Sequence, residues 1–216
     1  MQTIQNVFHP ALLSAMPSSQ RWKRPFDLAL GLIILAVLSP VFLIIAVLVK
    51  LTSAGPVLFV QKRVGKNGET FAIYNFRSMF MDAEARRAEL LATSDREGIC
   101  FKSKNDPRIT PVGRWLRRLS LDELPQIFNV LAGDMSLVAP RPALPSEVAA
   151  YPVCALQRLS VLPGITGLWQ VSGRAEIGFD EMVELDIRYA RTDSLWLVLI
   201  ILARTFEAVF SGRGAY

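Results

Sequence analysis

The longest uninterrupted apolar stretch of the chain is residues 28–49, LALGLIILAVLSPVFLIIAVLV, which carries no formal charge. A run of about 20 apolar residues is what a helix needs to cross the hydrocarbon layer of a bilayer. It is too long and too far from the N-terminus for a secretory signal, and no small-residue cleavage pattern follows it. Ser39–Pro40 falls in its middle. A proline there removes one helical hydrogen bond and crowds the preceding turn, which predicts a bend. Arg21, Lys23 and Arg24 flank one end; Lys50, Lys62, Arg63 and Lys66 flank the other. Basic flanks favour the cytoplasmic side. The pattern therefore predicts a re-entrant helix over 21–50 that dips into the membrane, bends at Ser39–Pro40 and returns to the same face. A kinked ordinary span is the competing arrangement. A second apolar run, Leu195–Ala203, is too short to cross. Asp193 or Ser194 can cap it, and a core helix or one lying on the membrane surface fits it equally well.

The remaining pattern is shorter in period. Two β-prone runs within 57–79 are separated by Asn67–Gly68, a strong hairpin signal. Met79–Ala92 reads as a helix and 93–109 as polar and irregular. Thr110–Pro111 has the form of an N-cap with proline at the first helical position, for a helix reaching about Arg118. Another helix is expected from Ser120–Glu123 to Leu131, stopped by Gly133. Loops rich in proline (Pro140, Pro142, Pro145) and glycine (Pro163–Arg174) follow. Phe179–Arg191 has amphipathic spacing, with Met182, Val183, Ile187 and Ala190 on one side. The organisation expected is a flexible tail over 1–20, a membrane helix over 21–50 and a globular domain over 51–216. The fold class is α+β, dominated by helix, with one small hairpin.

Composition sharpens this picture. Half of the 216 residues are hydrophobic, and 24 basic against 19 acidic side chains leave a net charge of +5. Anionic partners are favoured: lipid headgroups, phosphorylated substrates or nucleic acid. The basic residues are dispersed around apolar segments without a recognition motif, which argues against nucleic acid. Cys100 and Cys154 stand far apart with no metal-ligand spacing, in keeping with a reducing compartment. The single histidine, His9, lies in the tail, so chemistry that relies on a core histidine base is disfavoured.

The candidate chemistry sits in Leu119–Gln126, LSLDELPQ. Asp122 and Glu123 are adjacent, and Arg114, Arg117 and Arg118 precede them at helical spacing. One reading is structural: Ser120 and Glu123 form a capping box and Asp122 complements the helix dipole. The other is chemical. Nearby arginines favour the charged form of a carboxylate, and a carboxylate can attack phosphorus to give an acyl phosphate. Arginines and a divalent ion would then neutralise the phosphate oxygens. Arg77, Arg108, Asp134, Arg141 and Arg174 sit where loops meet elements. Prolines on both sides of Arg141 stiffen its backbone.

Several segments, in one order from about residue 21 to the C-terminus, resemble the bacterial sugar transferases, the monotopic polyprenyl-phosphate phosphoglycosyl transferases. They are KRPFD before the apolar run, LSP within it, FRSM with Asp82–Ala83, DPRIT, GRWLRRLSLDELPQIFNVLAGDMSLVAPRP, PGITGLWQVSGR and the terminal GAY. The likeness is strongest to enzymes that prime exopolysaccharide synthesis with galactose or glucose phosphate. It implies a membrane enzyme on the cytoplasmic face of the bacterial inner membrane. The enzyme would transfer a hexose 1-phosphate from a UDP-sugar to undecaprenyl phosphate, release UMP and pass through a phosphosugar–aspartate. By the same resemblance Asp122 is the nucleophile and the ligand of Mg2+. Glu123 assists it, Arg117 and Arg141 lie at the phosphates, and Arg77, Gln170 and Arg174 are further substrate-binding positions. Membrane lipids are partners, nucleic acid is not, and a homo-oligomer is left open. Ala139, Asn75 and Leu162 depart from the glycine, lysine and arginine common in such enzymes. A catalytically silent membrane adaptor of a polysaccharide assembly complex is the alternative from another class; intact Asp122, Glu123, Arg117 and Arg141 argue against it.

Overall fold

A computed structural model of the chain describes residues 21–83, 85, 106–173, 177–192 and 194–211. The tail over 1–20, most of the helix expected over Met79–Ala92, all of 93–105, Arg174 and the terminal GAY lie outside the described residues. Helix α1 spans Lys23–Thr52 and runs unbroken through Pro40. Proline cannot donate to the carbonyl four residues back. That carbonyl, of Ala36, instead accepts the Ser39 hydroxyl at 2.9 Å. Ser-Pro is thus a self-satisfying pair inside an apolar helix. At 1.5 Å per residue, α1 is about 45 Å long. It is long and apolar enough to cross a membrane by length and composition.

One stripe of α1 packs on the rest of the protein. Trp22, Phe26, Leu30 and Phe42 lie against the main core, and Ile45 and Val49 enter a second cluster with Phe76 and Leu116. The opposite stripe, including Leu32, Val37, Leu43 and Ile44, is exposed. Both ends are fastened to the globular body. At the start, Lys23 Nζ donates to Ser136 Oγ (2.5 Å) and Asp27 accepts the Leu137 N–H (3.2 Å). Arg24 donates to the carbonyls of Val130 and Leu131 at 2.5 and 2.9 Å. At the far end, Arg77 donates to the carbonyls of Ala54 and Ser53 at 2.5 and 2.7 Å.

Strands β1 (Leu58–Val64) and β2 (Thr70–Phe76) pair antiparallel, with Val64 opposite Thr70. Asn67 and Gly68 turn the chain with φ of 55° and 81°, the left-handed region these two residue types tolerate best. Helix α2 (Pro111–Arg118) begins as its sequence predicts: Thr110 Oγ1 accepts the Gly113 N–H at 2.9 Å. A β-carbon at Gly113 would run into the backbone of Ser78, so α2 approaches that strand end as only glycine allows. A 3-10 turn at Leu121–Glu123 leads to α3 (Gln126–Ala132), which Gly133 ends with φ 103°. Asn129 of α3 is fully buried and closes the open edge of β2. Its Oδ1 accepts the Tyr74 N–H at 3.1 Å and its Nδ2 donates to the Ala72 carbonyl at 2.7 Å.

A second two-stranded sheet, absent from the expectation of one hairpin, joins β3 (Ser136–Val138) and β4 (Gly164–Thr166) in parallel. Parallel pairing needs a long crossover. Here it contains α4 (Pro145–Ala149) and a 3-10 helix, Val153–Ser160. Helices α5 (Phe179–Ala190) and α6 (Leu195–Ser211) complete the described chain. Met182, Val183 and Ala190 are buried as their spacing predicts, and the Tyr189 hydroxyl donates to the Val138 carbonyl at 2.6 Å. Ser194 Oγ accepts the Leu197 N–H at 3.2 Å, capping α6. The nine-residue run is part of a longer helix with two characters: Val198 and Ile201 are core, whereas Trp196 and Phe206 are exposed. The fold is a helix-rich α+β arrangement around two small sheets.

Candidate active site

The carboxylate pair sits at the corner between α2 and α3. Ser120 occupies the left-handed region, φ 54°, and its side chain caps nothing, so the capping box expected there does not form. The sharp corner at Ser120 has a different result. Asp122 is turned inward, 8 % exposed, and Glu123 reaches Arg141. The Glu123 Oε1 to Arg141 Nη1 distance is 2.7 Å.

Burial is the leading influence on Asp122, and the negative charge of Glu123 adds to it; together they push its carboxyl up to about 6. The charges of Arg117 and Arg141 oppose the rise without cancelling it. This corrects the expectation that the arginines dominate and favour the charged form. A carboxyl near 6 remains about 90 % ionised at pH 7, and its higher basicity suits it to attack an electrophile better than an ordinary aspartate. The charge of Glu123 in turn holds the Arg141 guanidinium above its ordinary value.

The three arginines of α2 do not act together. Arg114 and Arg118 are exposed. Arg117 is drawn inward, donating from Nε to Ser78 Oγ at 2.9 Å. Arg77 is almost fully buried with its terminal nitrogens taken up by Ser53 and Ala54, so the structure puts it in the anchor of α1. Gln170 lies in the 3-10 turn Trp169–Val171 and donates to the Ile165 carbonyl at 3.1 Å. Arg174 is outside the described residues. Arg108 forms a loop ion pair with Asp106 at 2.6 Å. Burial pushes Asp106 upward, but the Arg108 fork outweighs it and leaves the carboxyl below its ordinary range. Asn75 accepts from Gln126 Nε2 at 3.0 Å, tying the start of α3 to β2.

The site therefore brings together Asp122, Glu123, Arg117 and Arg141, with Ser78 steering Arg117. Ser78 stands in FRSM, one of the segments that carry the resemblance, but it is uncharged and nothing in the sequence assigned it a role of its own. Arg158 and Asp186 were also missed. They form a buried ion pair at 2.5 Å between the crossover and α5, and their partnership depends on a contact 28 residues apart.

The described residues hold no group of three or more histidine, cysteine or carboxylate side chains placed to bind a metal by themselves. The carboxylate pair fits the other way a hard cation is held, by one or two carboxylates together with phosphate oxygens and water.

Comparison with known proteins places this geometry in context. The sequence profile described as bacterial sugar transferase matches residues 18–212. The chain is 49% identical over 162 residues to the galactosyl transferase CpsE of Streptococcus agalactiae, covering 74% of this chain and 36% of that protein. It is 44% identical over 210 residues to the undecaprenyl-phosphate galactose phosphotransferase of Salmonella typhimurium, covering 94% and 43%. It is 39% identical over 198 residues to the exopolysaccharide production protein ExoY of Rhizobium meliloti, covering 90% and 88%. The chain thus spans about two-fifths of the length of the first two relatives and most of the third.

Proposed function

Because the chain belongs to the bacterial sugar transferase family, we propose that it transfers a hexose 1-phosphate from a UDP-sugar to undecaprenyl phosphate and so primes exopolysaccharide synthesis. The observation that carries the reading is the environment of Asp122: a buried carboxylate near 6, beside Glu123 and facing the charges of Arg117 and Arg141. Relatives named for galactose, glucose and N-acetylgalactosamine phosphotransfer to undecaprenyl phosphate support it.

In the first half-reaction an Asp122 oxygen forms a bond to the β-phosphorus of the UDP-sugar. The bond from that phosphorus to the oxygen bridging the α-phosphate breaks. UMP departs with the bonding pair, and the aspartate carries the sugar phosphate. In the second, an undecaprenyl phosphate oxygen attacks the same phosphorus, the aspartyl bond breaks, and undecaprenyl diphosphate sugar leaves with Asp122 restored. Attack of an anion on an anion is opposed by repulsion. Arg117 and Arg141 supply the fixed positive charge that offsets it, and Arg141 can grip phosphate with two donors at once. Glu123 holds Arg141 in place and raises the basicity of Asp122. In this reading it would also take a proton from the lipid phosphate. Asp122, with the diphosphate, would hold Mg2+, which when bound supplies charge neutralisation at the phosphate oxygens.

The substrates demand an interface, since the acceptor is confined to lipid and the donor to water. We take α1 as re-entrant, its active domain on the cytoplasmic face of the inner membrane. Support comes from its anchoring: Lys23–Asp27 at one end and Ser53–Ala54 at the other are bound to the same globular body. A straight span would carry one end across about 30 Å of hydrocarbon, away from that body. The exposed stripe of α1 then faces lipid.

The test is UMP release by membranes carrying the protein with undecaprenyl phosphate, Mg2+ and a panel of UDP-sugars, UDP-galactose and UDP-glucose first. One sugar nucleotide should release UMP, chelation of Mg2+ should stop it, and mass spectrometry should trap the sugar phosphate on Asp122. Transfer in one displacement with no enzyme-bound adduct overturns the mechanism; no UMP from any donor overturns the function.

A further inference from the structure

The segment Pro140–Ala143 is held in an unusual way. Two prolines in four residues leave it short of N–H donors, so it cannot join a sheet as a regular strand. Its four successive carbonyls are nevertheless all taken. Pro140 accepts the Gly164 N–H at 2.8 Å, and Ala143 accepts the Val64 N–H at 2.9 Å. Between them, Pro142 accepts from Arg63 Nη1 and Arg141 accepts from Arg158 Nη2, each at 3.2 Å. The outer pair is backbone to backbone. The inner pair depends on two guanidinium groups reaching in from β1 and from the crossover.

Arg158 is the deeper of these, 3 % exposed. Its Nη2 bonds Asp186 Oδ2 at 2.5 Å and its Nη1 donates to the Tyr151 hydroxyl at 2.6 Å. The ring of Tyr151 lies 5.5 Å from the guanidinium carbon, within cation–π range. Asp186 is fully buried on α5. A buried ion pair is weak as a source of stability, because desolvation offsets its attraction. What it supplies here is placement: a planar fork, fixed on two sides, aims one donor at the carbonyl of Arg141. That residue's own side chain meets Glu123 at 2.7 Å.

We propose that Arg158, clamped by Asp186 and Tyr151, is a positioning residue that sets Arg141 against Glu123 and the donor phosphates. The proposal rests on the reading of Arg141 as a phosphate-facing residue. It makes Asp186 of α5 part of the active-site scaffold, although α5 contributes no group to the reacting atoms. Lysine cannot replace the fork. It keeps the charge and can pair with Asp186, but it cannot bond Asp186, Tyr151 and the Arg141 carbonyl in the same fixed geometry.

The experiment uses the full chain in lipid nanodiscs and reads Arg141 in two ways. The first is the rate at which phenylglyoxal modifies Arg141, followed by peptide mass spectrometry, in the wild type, R158K and R158M. E123Q marks the rate expected when the pairing of Arg141 is lost. The second is kcat/KM for UMP release in R158K, measured with Arg141 present and in an R141A background. If Arg158 acts through Arg141, R158K labels Arg141 at a rate approaching that of E123Q with its unfolding midpoint retained. It also lowers kcat/KM on the order of 10- to 100-fold with Arg141 present, but less than about twofold in R141A. Labelling at the wild-type rate, or an equal loss of activity in both backgrounds, overturns the proposal. If R158M unfolds the clamp outright, R158K, which keeps the charge, carries the decision. Should the wild type release no UMP from any donor, the functional reading fails, and the labelling rates still decide the placement of Arg141.

Discussion

Replacing Asp122 with asparagine should abolish UMP release and at the same time stabilise the protein. The folded state raises the carboxyl to about 6, with burial the first cause, against about 3.9 in an unfolded chain. A group that binds its proton more tightly when folded makes stability fall as pH rises. The cost begins near pH 4, grows through pH 6 and is complete above it. The interval corresponds to about 3 kcal/mol as a ceiling. Asparagine keeps the shape and removes the charge, so the variant should recover much of that cost at neutral pH. For a chain of this size about 1 kcal/mol moves the midpoint by about 2–4 °C, and the rise should reach several degrees. The assay is thermal unfolding of wild type and D122N in the same nanodiscs at pH 7.5 and pH 4.5, with UMP release alongside. The gap should be wide at pH 7.5 and shrink to about a third of that at pH 4.5, where the folded wild-type carboxyl is itself mostly protonated. A lower midpoint for D122N at pH 7.5, or a gap that does not change with pH, refutes the reasoning. The pattern would mark Asp122 as a residue retained for chemistry at a cost in stability.

Two other outcomes follow from the same contacts. UMP release in the wild type should fall about tenfold per pH unit below pH 6, as Asp122 takes up its proton; E123Q, which removes the adjacent negative charge, should move that limb to lower pH, and a limb that stays in place would show that Glu123 does not tune Asp122. Asn129→Ala strands the Tyr74 N–H and the Ala72 carbonyl at the edge of β2, and should cost about 2–4 kcal/mol, read as a clear fall in the unfolding midpoint; an unchanged midpoint would mean that water replaces both bonds.

Much of the architecture could be read along the chain because its causes are local. The apolar run of α1, the Thr110–Pro111 start of α2, the Asn67–Gly68 turn, the Gly133 stop and the buried face of α5 each depend on residues within a few positions of one another. The adjacency of Asp122 and Glu123, with arginines one to two turns before them, belongs to the same class, and it pointed to the candidate site. The parallel β3–β4 pair was not legible in this way. Its strands are three residues each, too short for a period, and they meet only through a long crossover.

What the sequence determined by itself was therefore the set of elements and the presence of a carboxylate pair among cations, because propensity, capping and turn chemistry act over short separations. Tertiary structure alone decided which cations count. Arg117 turns inward and Arg114 and Arg118 outward, Arg77 goes to α1, Arg141 reaches Glu123, and Arg158 reaches Asp186. It also set the proton affinity of Asp122, raised although arginines surround it. Burial and the distances between charges are properties of the packed chain, and a side chain's place in the sequence does not carry them.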